Sequence, residues 1–212
     1  MATGLTLAAT MLISGNLDAA PVAGEVVKIT GRAMAATQDG DIRQLSAGAE
    51  VESGDTLVTN RSSYMRVKMV DGASVILRPN TRFHIEDYNV SETPSENRSF
   101  LSLLKGGFRS VTGAIGKRNR GGYRVRTAVA TIGIRGTDIE VLSCQGDCPE
   151  PDGTYLGVND GEAEMTTSAG TQRFSAGTYG YVDDPNSPPV EVPASGAGQI
   201  GSDPLADPDC GG

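Results

Sequence analysis

Apolar and polar residues alternate with period two along most of the chain, the pattern of strands that bury one face. In "MRVKMVDGASVILR", Met65, Val67 and Met69 alternate with Arg66 and Lys68, and Val75 and Leu77 resume after Asp71-Gly72. Asp-Gly tolerates positive φ at both central positions of a two-residue turn, so this segment predicts a tight hairpin. In "TRFHIEDY", Phe83 and Ile85 share one face, and Arg82, His84 and Glu86 the other. "GEVVKITGRAMA" places Val26 and, after a shift, Ile29 near one face. "SFLSLLKGGFRSVTG", "YRVRTAVATIGIRGTDIEVL" and "TYLGVNDGEAEMTTSAGTQRFSAGTYGYV" continue in the same way. No window sustains a helical period with caps. Ser99 to Lys105 comes nearest, where Phe100, Leu101, Leu103 and Leu104 could close one turn before Gly106-Gly107. Short strands and Gly-containing turns recur at about 8 to 12 residues, a spacing that predicts an all-β chain. The architectures that fit are an elongated β-roll or solenoid-like stack of short strands, or a sandwich-like one. No strict repeat supports a regular β-helix.

Composition sharpens this picture. The chain has 212 residues with 28 Gly, 5% aromatics and no Trp, which suits tight turns around a thin core. From Asp183 the sequence turns to Pro, Gly, Asp and Ser, and 183–212 reads as a disordered, flexible acidic tail. At the other end, Leu5 to Ile13 ("LTLAATMLI") has the length of a secretory h-region and is far too short for a membrane span. Cleavage after Ala19 would make 1–19 a signal peptide; the missing basic n-region leaves two readings, a start internal to a longer leader or no signal. The chain is therefore expected to be exported to the periplasm or cell envelope. No other stretch is long and apolar enough to cross a bilayer.

Net charge is −8, unevenly spread. Gly24 to Ser143 holds 17 basic and 13 acidic residues, whereas Cys144 to Gly212 holds 12 acidic residues and only Arg173 as a base. Seven bases and no acid lie between Lys105 and Arg126. Within that stretch Lys117, Arg118 and Arg120 fall in a Gly-flanked loop, where they are either an exposed polar tip or the contact for an anionic partner. Phe108 and Tyr123 interleave with the cations as in some polyanion grooves. The partner expected is a protein or an anionic polymer of the cell envelope, and not nucleic acid.

Catalytic chemistry finds few reagents. His84 is the only histidine, sits on the polar face of its strand, and has no Gly-x-Ser-x-Gly elbow beside it. Adjacent carboxylates such as Glu86-Asp87 point to opposite faces of a strand and make poor acid/base pairs. "DGDIRQLSAGAE" lacks the EF-hand spacing. Cys144 and Cys148 can close a small disulfide loop in an oxidising compartment. A zinc site would need two more ligands, and Cys210 is left odd. We expect no enzyme activity, no cofactor and no metal.

One set of residues resembles a known family. Gly54-Asp55 precedes a strand ending at Thr59, the Asp71-Gly72 turn follows, then Leu103 with Gly106. "V-x-T…A-x-x-G-x-R-G-T" comes next, as Val125, Thr127, Ala130, Gly133, Arg135, Gly136 and Thr137. This pattern, over about 24–143, is similar to the FecR domain of bacterial cell-surface signalling. Ala128 stands where the family often has Pro. The resemblance implies an all-β periplasmic module, with 144–182 adding β-turns to it. Family regulators carry a sigma-factor-binding region and a membrane helix before this domain. Neither lies in these residues, so a stand-alone exported module is expected rather than the full transmembrane anti-sigma regulator.

The functions that follow are a non-catalytic binding or scaffolding module of the periplasm or envelope, acting through a strand edge or loop. Alternatives are a part in sigma-factor regulation through contact with an outer-membrane transporter's signalling domain, or a structural envelope protein. Within "ATIGIRGTDIEV", alternation places Ile132, Ile134 and Gly136 on one face, and Gly133, Arg135 and Thr137 on the other. Arg135 is then expected to act as a structural bracket, donating to carbonyls or a carboxylate of the adjacent turn.

Overall fold

The structure is a computed structural model that describes residues 20–119, 121–146 and 148–196. The expected leader at 1–19, Arg120, Asp147 and the segment 197–212 with Cys210 lie outside the described residues. Among the described residues, fifteen strands form in chain order. The first eight are β1 (Val22–Thr30), β2 (Ala33–Ala36), β3 (Ile42–Gln44), β4 (Glu50–Glu52), β5 (Thr56–Thr59), β6 (Tyr64–Met69), β7 (Ser74–Leu77) and β8 (Arg82–Asn89). Then come β9 (Arg98–Val111), the one-turn helix α1 (Ala114–Arg118), β10 (Tyr123–Arg126), β11 (Thr131–Cys144) and β12 (Gly153–Thr167). β13 (Gly170–Ser175), β14 (Tyr179–Val182) and β15 (Val190–Val192) complete the order.

The all-β expectation holds, but the strands are not uniformly short. β9, β11 and β12 run for 14, 14 and 15 residues, and each belongs to two layers. The first part of β9, Arg98 to Lys105, pairs with β8, and Ser99 to Ser102 runs parallel to β10. Its second part, Gly106 to Val111, pairs with β7 and β11. β11 and β12 divide in the same way, at Gly136 and Gly161. One layer is therefore β4-β1-β6-β7-β9-β11-β12-β14-β15, and the other is β3-β2-β5-β8-β9-β10-β11-β12-β13. A continuous sheet folds over on itself into a sandwich-like body. Ser99 to Lys105, the window nearest to a helical period, is strand, because both of its neighbours offer it a ladder.

A single apolar cluster fills the space between the layers. Val67, Val75, Phe108, Val141 and Leu156 come from one layer, and Leu57, Phe83, Leu101, Val125, Ile132 and Met165 from the other. Phe83 and Phe108 meet edge to face across it, ring centroids 5.1 Å apart. With few large rings, that pair fixes the thickness of the core.

Each long strand bends at a glycine held in the left-handed region: Gly106 (φ 79°), Gly136 (φ 60°) and Gly161 (φ 75°). Space is as restrictive as φ. A Cβ on Gly106 would lie 2.6 Å from Thr81 Oγ1, and one on Gly161 would lie 2.4 Å from the Gly136 carbonyl oxygen. Ladder bonds lost at the bends are replaced by hydroxyls. Thr81 Oγ1 donates to the Gly107 carbonyl (2.9 Å) and accepts from its N–H (3.0 Å). Thr112 Oγ1 does the same for Thr137, donating at 2.5 Å and accepting at 3.0 Å. The third bend closes through the Ala176 N–H on the Gly161 carbonyl.

Two local expectations change. The β6–β7 connection is a three-residue loop, Val70-Asp71-Gly72, closed by Met69 N–H on the Ala73 carbonyl and Gly72 N–H on the Met69 carbonyl. Only Gly72 has positive φ (88°), so this is a turn ending in a glycine bulge rather than a two-residue hairpin turn. Asp71 is then free to bond elsewhere. Beyond Asp183, where a flexible tail was expected to begin, β15 pairs with β14, and Ser168 Oγ donates to the Pro185 carbonyl. The ordered sheet thus extends through Val192.

Gly161→Ala should destabilise the domain by more than about 2 kcal/mol, since it combines a strained φ with a clash against backbone. Gly40→Ala has an equivalent φ (90°) but nothing within 4 Å of the added Cβ, and should cost only about 1 kcal/mol. Urea unfolding of both variants measures the difference; equal losses would show that the bend does not need glycine for its close approach.

Candidate functional site

The motif residues fall into structural and surface groups. Asp55 is buried (2% exposed) and accepts a bidentate pair from Arg43, at 3.0 Å and 2.5 Å, plus the Glu52 N–H at 2.8 Å. That hydrogen bond with Asp55, first among its causes, raises the Arg43 pKa. Gly54 (φ 93°) makes the turn that delivers Asp55. Thr59 Oγ1 donates to the Arg78 carbonyl (2.5 Å) and accepts from the Thr81 N–H (3.0 Å). Val125 lies in the core, and Thr127 Oγ1 closes the 127–130 turn, accepting from the Ala130 N–H (3.1 Å) and from Thr154 Oγ1 (2.8 Å).

Asp71 joins three elements. Its Oδ1 accepts from the Ala73 N–H (2.9 Å) and the Tyr88 hydroxyl (2.6 Å), and its Oδ2 from the Ile115 N–H (3.0 Å). The loop tip is thereby tied to β8 and to the start of α1. Burial, then the Asp71 charge, pushes the Tyr88 phenol well above its ordinary pKa; burial does the same for Tyr123.

Arg135 departs from expectation. Ile132 and Ile134 are buried as alternation requires, but the bulge at Gly136 shifts the phase, so Ile139 rather than residue 138 returns to the core. Arg135 is half-buried, and its guanidinium makes no hydrogen bond or ion pair with any described residue. Glu162 stands opposite it in the ladder without pairing to it. The bracketing expected of Arg135 is carried out instead by the Thr112 hydroxyl on Thr137. Gly133 sits in the ladder between Arg124 and Glu164 and leaves the outer face low there.

Lys117 and Arg118 lie on α1, not in an irregular loop, and both are exposed without an ion pair among the described residues. α1 packs on β11 through Gly116 against Ile134, and the Lys117 stem lies close to Gly136. Lys117 and Arg118 are thus brought to the same bend as Arg135. On the adjacent face Arg124 stands over the Phe100 ring at 5.4 Å, and Arg126 lies 3.6 Å from Glu86. The result is a cationic rim around the R-G-T bend, its charges only partly balanced.

A second charged group escaped the sequence reading. Arg109 pairs bidentately with Asp138 (2.9 Å and 2.6 Å), and Arg78 pairs with the buried Glu140 at 3.1 Å. Asn159 donates to both carboxylates, at 3.4 Å and 3.3 Å. The available signal was the alternation Asp138-x-Glu140, with Arg109 inside the cationic stretch. Finding it needed the β9–β11 register. These acids neutralise one end of the basic run and leave the α1 end unbalanced.

The remaining chemistry-bearing residues do not converge. Cys144 and Cys148 form a disulfide with Cα atoms 5.4 Å apart. Glu150 is close to both sulfurs, but neither is a free thiolate that could hold a metal with it. Tyr155 and Tyr181 stack at 4.6 Å and clamp this loop through the Pro151 and Asp152 carbonyls. An open cavity of about 200 Å³ between the loop and the β9 bend is lined by Tyr64, Arg78, Gly106 and Glu150, among others. His84 lies opposite Phe83 and Ile85, with Nδ1 3.1 Å from Thr56 Oγ1 and 3.2 Å from the Asp55 carbonyl.

These placements separate two motif positions by stability. Asp71→Ala orphans a phenol and two backbone donors and should cost about 3 kcal/mol. Arg135→Gln removes no bond and should change stability by less than about 0.5 kcal/mol. Chemical denaturation of both variants checks this; a large loss for Arg135→Gln would restore the bracket.

Comparison with known proteins gives these observations a context. The family model described as "FecR protein" matches residues 55–164, just over half of the chain. No curated protein matches the chain. Two crystal structures of a candidate anti-sigma factor from Parabacteroides distasonis, at 1.65 Å and 2.50 Å resolution, share the fold. They superpose with TM-scores of 0.50 and 0.51 at 18% and 19% identity, over 65% of this chain and 58% of theirs. This chain therefore accounts for less than two thirds of those proteins. No helix among the described residues is long and apolar enough to cross a membrane. With Asp55, the threonine-closed bends and the R-G-T bulge all inside the matched segment, the chain belongs to the FecR family.

Proposed function

We propose that this protein is a non-catalytic signalling module of the periplasm or cell envelope that works by protein–protein contact through the cationic rim at the R-G-T bend. The observation that carries this reading is the contrast between two groups of charge. Arg43, Arg78 and Arg109 are held by carboxylates, whereas Lys117, Arg118 and Arg135 have no such partner among the described residues. Charges left unpaired on a rigid support favour an acidic partner surface, chiefly by steering association and setting register. Family membership supports signalling as the context. The anti-sigma description of the structural neighbours favours a contact that regulates a sigma factor, in the manner of a transporter signalling domain meeting its regulator.

The test is capture of partners by the immobilised full chain from a periplasmic extract, compared with Lys117→Glu/Arg118→Glu. Wild type should retain an acidic protein at low salt, and both the double variant and 0.5 M salt should release it. Identical capture by the two chains would remove the rim from the interface. Retention only of envelope polymer would move the reading to a scaffolding role.

A further inference from the structure

The loop that follows β11 brings together Cys144, Cys148 and Glu150. Their two sulfurs and a carboxylate oxygen all lie within 4.8 Å of one another. While the disulfide is closed, the sulfurs are committed to each other, but Glu150 is not committed. Its Oε2 is buried and accepts no hydrogen bond. A buried carboxylate oxygen without a donor is costly, and a redox role or a bound water or ion accounts for such orphans.

Hydrogen bonds hold this loop independently of the disulfide. The Gly146 N–H donates to Asp152 Oδ1 (2.5 Å), and Gln145 Nε2 donates to the Leu104 carbonyl (2.8 Å). The Tyr155 hydroxyl donates to the Pro151 carbonyl (2.9 Å) and that of Tyr181 to the Asp152 carbonyl (2.7 Å). Opening the sulfur bridge therefore leaves Cys148 and Glu150 tethered near Cys144, which ends β11 and is 2% exposed. The bridge can also be reached, because Cys148 and Glu150 line the open cavity of about 200 Å³ beside the β9 bend.

We propose that reduction of this disulfide turns the loop into a Zn²⁺ site, held by the Cys144 and Cys148 thiolates and the Glu150 carboxylate, with the fourth position open to solvent in the cavity. A dithiol reductant opens the bridge. One of its thiolates attacks Cys148 Sγ, the Cys144 thiolate leaves, and the second thiolate of the reductant then displaces Cys148 as the reductant closes into its own disulfide. Two electrons and the two protons of the dithiol pass to the cysteines, and Zn²⁺ releases those two protons to solvent when it binds. Cys-x-x-x-Cys falls within the separation usual for zinc-binding cysteine pairs, and paired thiolates favour zinc over hard cations. Tetrahedral coordination places ligand atoms roughly 3.5–3.8 Å apart, so side-chain rotation is enough to form it from the observed cluster. Glu150 supplies the third ligand that the cysteine spacing alone lacks. Neither the family match nor the contact at the R-G-T bend requires this site.

The test titrates Co²⁺, a spectroscopic stand-in for Zn²⁺, into the full chain in its oxidised form and, without oxygen, after reduction by a dithiol that is then removed. The reduced chain should bind one Co²⁺ with thiolate-to-metal charge-transfer bands and the visible bands of tetrahedral cobalt, and Zn²⁺ should bleach both. The oxidised chain should show neither. Cys148→Ser should abolish the tetrahedral spectrum, and Glu150→Gln should weaken Co²⁺ binding at least ten-fold. Cys210→Ser should bind as wild type does, which separates this loop from the third cysteine. Zn²⁺ should also raise Tm of the reduced wild type, and less in Glu150→Gln. A reduced chain without these bands, bands equally strong and tight in Glu150→Gln, or bands that depend on Cys210 would overturn the proposal. Loss of the fold on reduction that Zn²⁺ does not restore would overturn it as well.

Discussion

One sheet has to serve as both halves of its own sandwich, and everything else in the structure follows from how it turns the corner. β11 and β12 cross from one layer to the other at adjacent bends, Gly136 beside Gly161, whereas β9 crosses at Gly106, at the other end of its pairing with β11. An ordinary residue at Gly161 would drive its Cβ into the Gly136 carbonyl, and the sheet could not close there. Bending also breaks the ladder, leaving buried peptide groups to be satisfied. Thr81 and Thr112 meet that need with hydroxyls that donate and accept at once. An unsatisfied buried peptide group costs about 1–3 kcal/mol, so these side chains are as necessary as the glycines.

That geometry gives the residues of the R-G-T motif definite tasks. The Thr in R-G-T is read by Thr112 through its backbone, and the Gly supplies the bulge. Asp55 and Asp71, the two motif acids, are both consumed in fastening turns, one to Arg43 and one to Tyr88 and α1. Arg135 is the exception. It sits beside the bulge with its guanidinium uncommitted, next to a helix turn that contributes two more cations. A residue held on the most constrained part of the fold, but bonded to none of the described residues, is well placed to meet something else.

Much of this was legible in the sequence where alternation persists. Phe83 and Ile85, Met65 and Val67, and Ile132 and Ile134 all point inward as period two requires. Alternation cannot see a phase change. Past Gly136 it puts residue 138 inside, whereas the bulge puts Ile139 there and turns Asp138 and the buried Glu140 to the opposite face of the strand, toward Arg109 and Arg78. The same blindness turned Asp71-Gly72 into a two-residue turn and hid the aspartate's three bonds. Strand length was misjudged for a related reason: glycines read as strand ends are bends within β9, β11 and β12. Family resemblance located the special residues but could not say which were bonded, since that depends on partners 12 to 44 positions away.

The account makes the bends the last part of the structure to open, and native-state amide hydrogen exchange tests this most directly. The N–H groups of Gly107 and Thr137, each bonded to a threonine hydroxyl, should exchange only through global unfolding, with the same free energy as core amides such as Val141. Exchange at these two sites through a lower-energy local opening, while Val141 stays protected, would contradict the claim that the stapled bends hold the two layers together.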